Sequence, residues 1–161
     1  MRLFSLLLAM LLPSLSGQQA AEHNGVNPDN VPDEVRSCLK TNSNLEINDK
    51  MNPFLISGDL DGDGFTDFAV QVETKKDQRK GILICFAKRE AMLVGAGSST
   101  PWPTGQGARW PFDSWFLVPK GSKQLSIYPE IRFDALALLI ADEGGGLLYW
   151  DGHKFRWQQE E

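Results

Sequence analysis

Apolar positions fall at helical spacing in one stretch near the N-terminal end and at strand spacing through most of the remaining chain. Val31, Val35, Cys38 and Leu39 lie on one stripe, so a short amphipathic helix is predicted there. Asn30 is placed to cap it, Pro32 is tolerated in its first turn, and Thr41-Asn42-Ser43-Asn44 ends it. Phe54-Leu55-Ile56 then leads into an aspartate-rich loop. Beyond the loop, Phe68, Val70 and Val72 alternate with Ala69, Gln71 and Glu73, the period of a half-buried strand. Lys75 to Lys80 is a charged turn. Gly81 to Phe86 is apolar on both faces and reads as a central strand, and Ala91–Val94 comes next after a short turn. Strands are predicted again at Ser114–Val118, Leu125–Tyr128 and Ala135–Ile140. A last hairpin turns at Asp151-Gly152, the preferred dipeptide for a two-residue turn, which would pair Trp150 with His153 and Leu148 with Phe155. The pattern predicts an α+β fold: a short N-terminal helix packed on a largely antiparallel β-sheet of hairpins.

The N-terminal end obeys a different logic. Met1-Arg2, an apolar run from Leu3 to Leu12, and then Pro13, Ser14, Ser16 and Gly17 have the three regions of a secretory signal. The run is shorter than the roughly 20 residues of a membrane span, so no stable membrane insertion is expected after cleavage. Residues 1–16 are read as signal peptide, 17–29 as a flexible leader and 30–161 as a single globular domain. The protein is accordingly expected to be exported, either periplasmic or secreted. In an oxidising compartment Cys38 and Cys85 have two readings: a disulfide joining helix to strand, or two separate buried thiols. No C-x-x-C spacing suggests zinc or a redox motif.

Charge narrows the partners. Against 16 Lys and Arg stand 21 Asp and Glu, a net charge of −5, which disfavours nucleic acid and suits divalent cations. The acidic residues concentrate in "SGDLDGDGFTDFAV", where Asp59, Asp61, Asp63 and Asp67 lie within nine residues. Four carboxylates so close repel one another and add nothing to a core. Calcium takes six to eight oxygens, mostly carboxylate and carbonyl. Asp59, Asp61 and Asp63 supply side chains at alternate positions, Phe65 its carbonyl, and Asp67 closes the shell. Gly62 and Gly64 let the backbone turn sharply. An EF-hand would close with Glu at loop position twelve, which is Val70 here, so the loop links strands rather than helices. A purely conformational reading, an Asp- and Gly-rich turn without metal, stands beside it.

The stretch "GDLDGDGFTDFAV" closely resembles the calcium loop of FG-GAP and VCBS-type repeats, whose blades build the β-propeller of integrin α-subunits. The D-x-D-x-D-G-x-x-D pattern is met by Asp59, Asp61, Asp63 and Asp67, with Phe65 at the carbonyl position. The resemblance spans Phe54 to Val70 and implies Ca2+ held by these five residues. A propeller requires several blades. One copy of the motif implies the loop without a complete β-propeller. The chain also resembles small exported bacterial proteins with one such loop and a C-terminal "YWDG" hairpin, Tyr149 to Gly152 here.

Catalytic signals are sparse. His23 lies in the leader and His153 in the last hairpin, "GAGSST" (Gly95–Thr100) lacks the Lys of a P-loop, and "DEGGG" (Asp142–Gly146) reads as a turn. The chain is expected not to be an enzyme; a hydrolase with an unrecognised acidic site is the more distant alternative. Between Gly95 and Phe112 lies a long Pro- and Gly-rich loop. Trp102, Trp110 and Trp115, in or beside it, would form an aromatic platform for a glycan or protein partner, or else bury themselves over the sheet. The sequence thus predicts an exported, non-catalytic calcium-binding protein acting as a binding or envelope-associated module, with a carbohydrate-binding module as the alternative.

Overall fold

The computed structural model describes Val26 and residues 30–98 and 112–160. The expected signal peptide, the leader apart from Val26, Trp102 and Trp110 lie outside these residues.

The element order is α1 (Asp33–Thr41), β1 (Leu45–Ile47), β2 (Leu55–Gly58), β3 (Asp67–Thr74), β4 (Lys80–Cys85), β5 (Met92–Gly95), β6 (Ser114–Val118), β7 (Ala135–Ile140), β8 (Gly144–Trp150) and β9 (Phe155–Glu160), with a 3-10 turn at Leu125–Ile127. The class is α+β, as the pattern predicted, but the strands form two antiparallel sheets rather than one. The first runs β1-β3-β4-β5, with β2 sharing the β1 side of β3; the second is a meander, β6-β7-β8-β9.

These sheets face each other. Ile56, Ala69, Ile82, Ile84 and Val94 of the first meet Trp115, Leu136, Leu138, Leu148, Trp150 and Phe155 of the second in one core. On the outer face of the first sheet, Val70, Val72, Leu83 and Cys85 receive Val31 and Val35 from the helical segment. On the outer face of the second, Val118, Ala135, Ala137 and Leu147 are covered by Leu125 and Ile131 from the β6–β7 connection. Alternation with period two therefore serves two different cores on the two faces of β3 and β4. That is why β3, expected to be half-buried, is covered on both sides.

The helix stripe packs as predicted, with Pro32 rather than Asn30 at the cap position. Of the two readings for the cysteines, the structure has the disulfide: Cys38 on α1 is bonded to Cys85 at the end of β4. The interval between β1 and β2 is a detour from a single edge. Asn48 N–H donates to Gln71 O, Gln71 N–H donates to Phe54 O, and the intervening residues bulge away. The Gln71 side chain fills the gap, its Nε2 donating to Pro53 O at 2.9 Å.

Two expectations need correction. Leu125–Tyr128 is not a strand; Leu125 plugs the outer face of the second sheet from a 3-10 turn. The last hairpin pairs Trp150 with Phe155 and Leu148 with Trp157, so the connection is the four residues Asp151–Lys154. Asp151 stabilises this wider loop: its carboxylate accepts from His153 N–H at 2.8 Å, Lys154 N–H at 2.9 Å and Arg156 Nε at 2.6 Å. The Arg156 guanidinium, then these N–H groups, hold its carboxyl well below the usual carboxylate range.

Candidate metal centre

The acidic loop joins β2 to β3, and its two ends are fixed by pairing of Gly58 with Asp67. Gly62 and Gly64 take φ of 80° and 83°, values costly for any residue with a Cβ. A Cβ on Gly62 would stand 2.0 Å from the Phe133 ring, whereas none of the neighbours of Gly64 comes within 4 Å. One glycine thus lets Phe133 of the β6–β7 connection press against the loop, and the other serves the turn alone.

Three of the four aspartates converge. One oxygen each of Asp59, Asp61 and Asp67 lies within 4.8 Å of the others. Asp67 is fully buried, and its two oxygens accept from Leu60 N–H at 3.0 Å and Ala87 N–H at 2.9 Å. Burial pushes its carboxyl up from the ordinary 3.8 to about 6; the Ala87 N–H opposes that rise and the neighbouring Asp61 carboxylate adds to it. Asp61 is also buried, with Oδ1 accepting from Asp63 N–H at 3.1 Å. Its Oδ2 lies 2.7 Å from Arg89 Nε, an ion pair too poorly aligned to be a hydrogen bond. Asp59 Oδ2 accepts from Gly64 N–H, while its buried Oδ1 has no hydrogen-bond partner.

Asp63 stands apart from this group. It is exposed and accepts from Phe65 N–H at 2.8 Å. Phe65 is 51% exposed at the loop tip, with Lys88 Nζ 4.2 Å above its ring.

Other parts of the chain complete the surroundings. Asp134, just before β7, accepts from Asp59 N–H at 2.9 Å and from Lys120 N–H at 2.8 Å, and returns its own N–H to Asp59 O. Lys120 Nζ lies 3.9 Å from Asp59 Oδ2. Arg89, Ala87, Lys120, Phe133 and Asp134 were all missed by sequence reasoning. Pattern and spacing act over a few residues, and Asp134 is 75 residues from Asp59.

Buried carboxylate oxygens without donors are costly unless a cation compensates them. The donor set is all oxygen, hard and anionic, and it fits a hard divalent cation. The residues that would hold it are Asp59, Asp61 and Asp67, while Asp63 and Phe65, expected as further ligands, are exposed and outside this group.

The remaining candidates are placed differently. Trp115 is 2% exposed in the core between the sheets, its indole N–H donating to Pro53 O, and so offers no open ring face. His153 is exposed on the Asp151 loop, and Asp142 and Glu143 are exposed in the β7–β8 turn. No helix among the described residues is long and apolar enough to cross a membrane. No family model matches the chain, and no curated protein or solved structure matches it significantly.

Proposed function

We propose that the protein is an exported, non-catalytic calcium-binding protein whose ion is held by the β2–β3 loop and is mainly structural. The observation that carries this reading is the convergence of Asp59, Asp61 and Asp67 with two buried carboxylate oxygens lacking hydrogen-bond donors. Oxygens on opposite sides of a calcium ion at about 2.3–2.6 Å are separated by roughly 5 Å, and the observed group fits inside that span. Magnesium is disfavoured because it keeps its waters and demands a tighter octahedron. The site knits the loop to Asp134, at the entry to β7 of the second sheet, so ion binding stabilises the folded chain by mass action. The Cys38–Cys85 bond is compatible with export. Such a calcium-stiffened module serves binding or envelope structure, with an unidentified protein or glycan as partner.

The test is a melting curve of the metal-stripped protein with calcium, with magnesium and with chelator, for wild type and Asp63→Ala. Because Asp63 is exposed, its loss should leave the metal-free melting point nearly unchanged while weakening the calcium response. A wild-type melting point indifferent to millimolar calcium would sink the proposal.

A further inference from the structure

Three consecutive residues after β4 wrap the acidic loop. Ala87 donates its N–H to Asp67, Lys88 lies over the Phe65 ring, and Arg89 reaches Asp61. The first two contacts leave the carboxylate group open to a cation. The third does not. Arg89 Nε stands 2.7 Å from Oδ2 of a carboxylate whose side chain is wholly buried, yet it supplies that oxygen with charge rather than with a directed hydrogen bond. The guanidinium therefore stands in for a cation at a loop oxygen that is both buried and without a donor.

Arg89 also lies against two aromatic rings in the position that reaches Asp61. Its Cζ lies 5.4 Å from the Phe86 ring centroid and 5.2 Å from that of Trp150, within cation–π range of both. The two rings are themselves packed edge to face. The side chain is 43% exposed, so its head can part from Asp61 into water while staying beside these rings, without crossing the core.

Resting on the calcium reading above, we infer that Arg89 is an internal competitor for the ion. It neutralises Asp61 in the metal-free protein and is released when calcium takes that carboxylate. Two cations cannot share one buried oxygen at contact distance without strong repulsion. The measured calcium affinity is then the intrinsic affinity reduced by the cost of breaking the ion pair. Arg89 sets the calcium level at which the loop fills, and it keeps the site folded below that level.

Calorimetric titration of calcium into metal-stripped wild type, Arg89→Gln and Arg89→Lys tests this, together with the melting point of each metal-free protein. Arg89→Gln should bind calcium about tenfold tighter while its metal-free form melts lower; Arg89→Lys should fall between. A residue that only props the loop would lower the melting point without tightening binding. In wild type, the Arg89 Nε–H signal in a nitrogen–proton spectrum should shift and lose protection from exchange as calcium is added. If wild type binds calcium and Arg89→Gln binds equally or more weakly, the competitor role is overturned and the calcium reading stands. If neither binds, both fall. Binding by Arg89→Gln alone would support the competitor role and show that the arginine substitutes for the ion in the native chain.

Discussion

Asp59, Asp61, Asp63 and Asp67 were legible as a group because their spacing and the two intervening glycines are local features. Their unequal fates were not, since burial of Asp61 and Asp67 and exposure of Asp63 depend on what the rest of the chain lays over the loop. The glycines expose this difference to measurement. Gly62 and Gly64 share nearly the same φ, but only Gly62 faces the Phe133 ring at a distance no Cβ tolerates. Gly64→Ala should cost about 1 kcal/mol from backbone conformation alone. Gly62→Ala should cost about 2–4 kcal/mol, because the ring or the loop must also move. Urea denaturation of the two metal-free variants compares them directly; equal losses would mean that Phe133 does not brace the loop.

Single elements were legible in type and placed within a residue or two where the chain carries a short apolar run, as at β4, β6 and β7. They were misread where two signals competed. Asp151-Gly152 has the composition of a two-residue turn, but the Asp151 carboxylate binds two backbone N–H groups and Arg156, and these contacts favour a four-residue loop. The register moves by two positions, so every side chain keeps its face and Trp150, Leu148, Phe155 and Trp157 still point inward. Leu125 and Ile127 mimic strand alternation in a segment that is a 3-10 turn. The helix, in contrast, is too short to hold without tertiary support, and the bond from Cys38 to Cys85 provides it across 47 residues of chain. Closing a loop of that length restricts the unfolded chain by about 4 kcal/mol. Reduction should lower the denaturation midpoint by an amount equivalent to about 2–4 kcal/mol, and the double variant Cys38→Ser/Cys85→Ser should match it. A loss below about 1 kcal/mol would show that α1 is held by packing of Val31 and Val35 alone.

At the level of the molecule, one sheet was predicted and two were found, because a period of two assigns residues to faces but says nothing about which strands pair. The stacking places the acidic loop where the sheets meet, and that position gives the protein a distinctive response to pH. Burial raises the Asp67 carboxyl above its unfolded value. The stability from keeping it protonated is therefore fully present below about 3.8 and lost as pH rises through about 6. The metal-free protein should lose about 2 kcal/mol between pH 4 and pH 7 from this group, and calcium, which requires the ionised form, should recover it. The melting-point gain on adding calcium should thus be large at pH 7.5 and small at pH 5, and an equal gain at both would show that Asp67 is not a ligand. The partition of the chain between the sheets carries a further consequence. Residues 30–98 contain the whole first sheet and both cysteines, and residues 112–160 contain the whole second sheet. A polypeptide emerging N-terminus first can fold and cross-link its first half before the second exists. The loop then waits, its Asp59 amide without Asp134, until the late-arriving half docks and seals it.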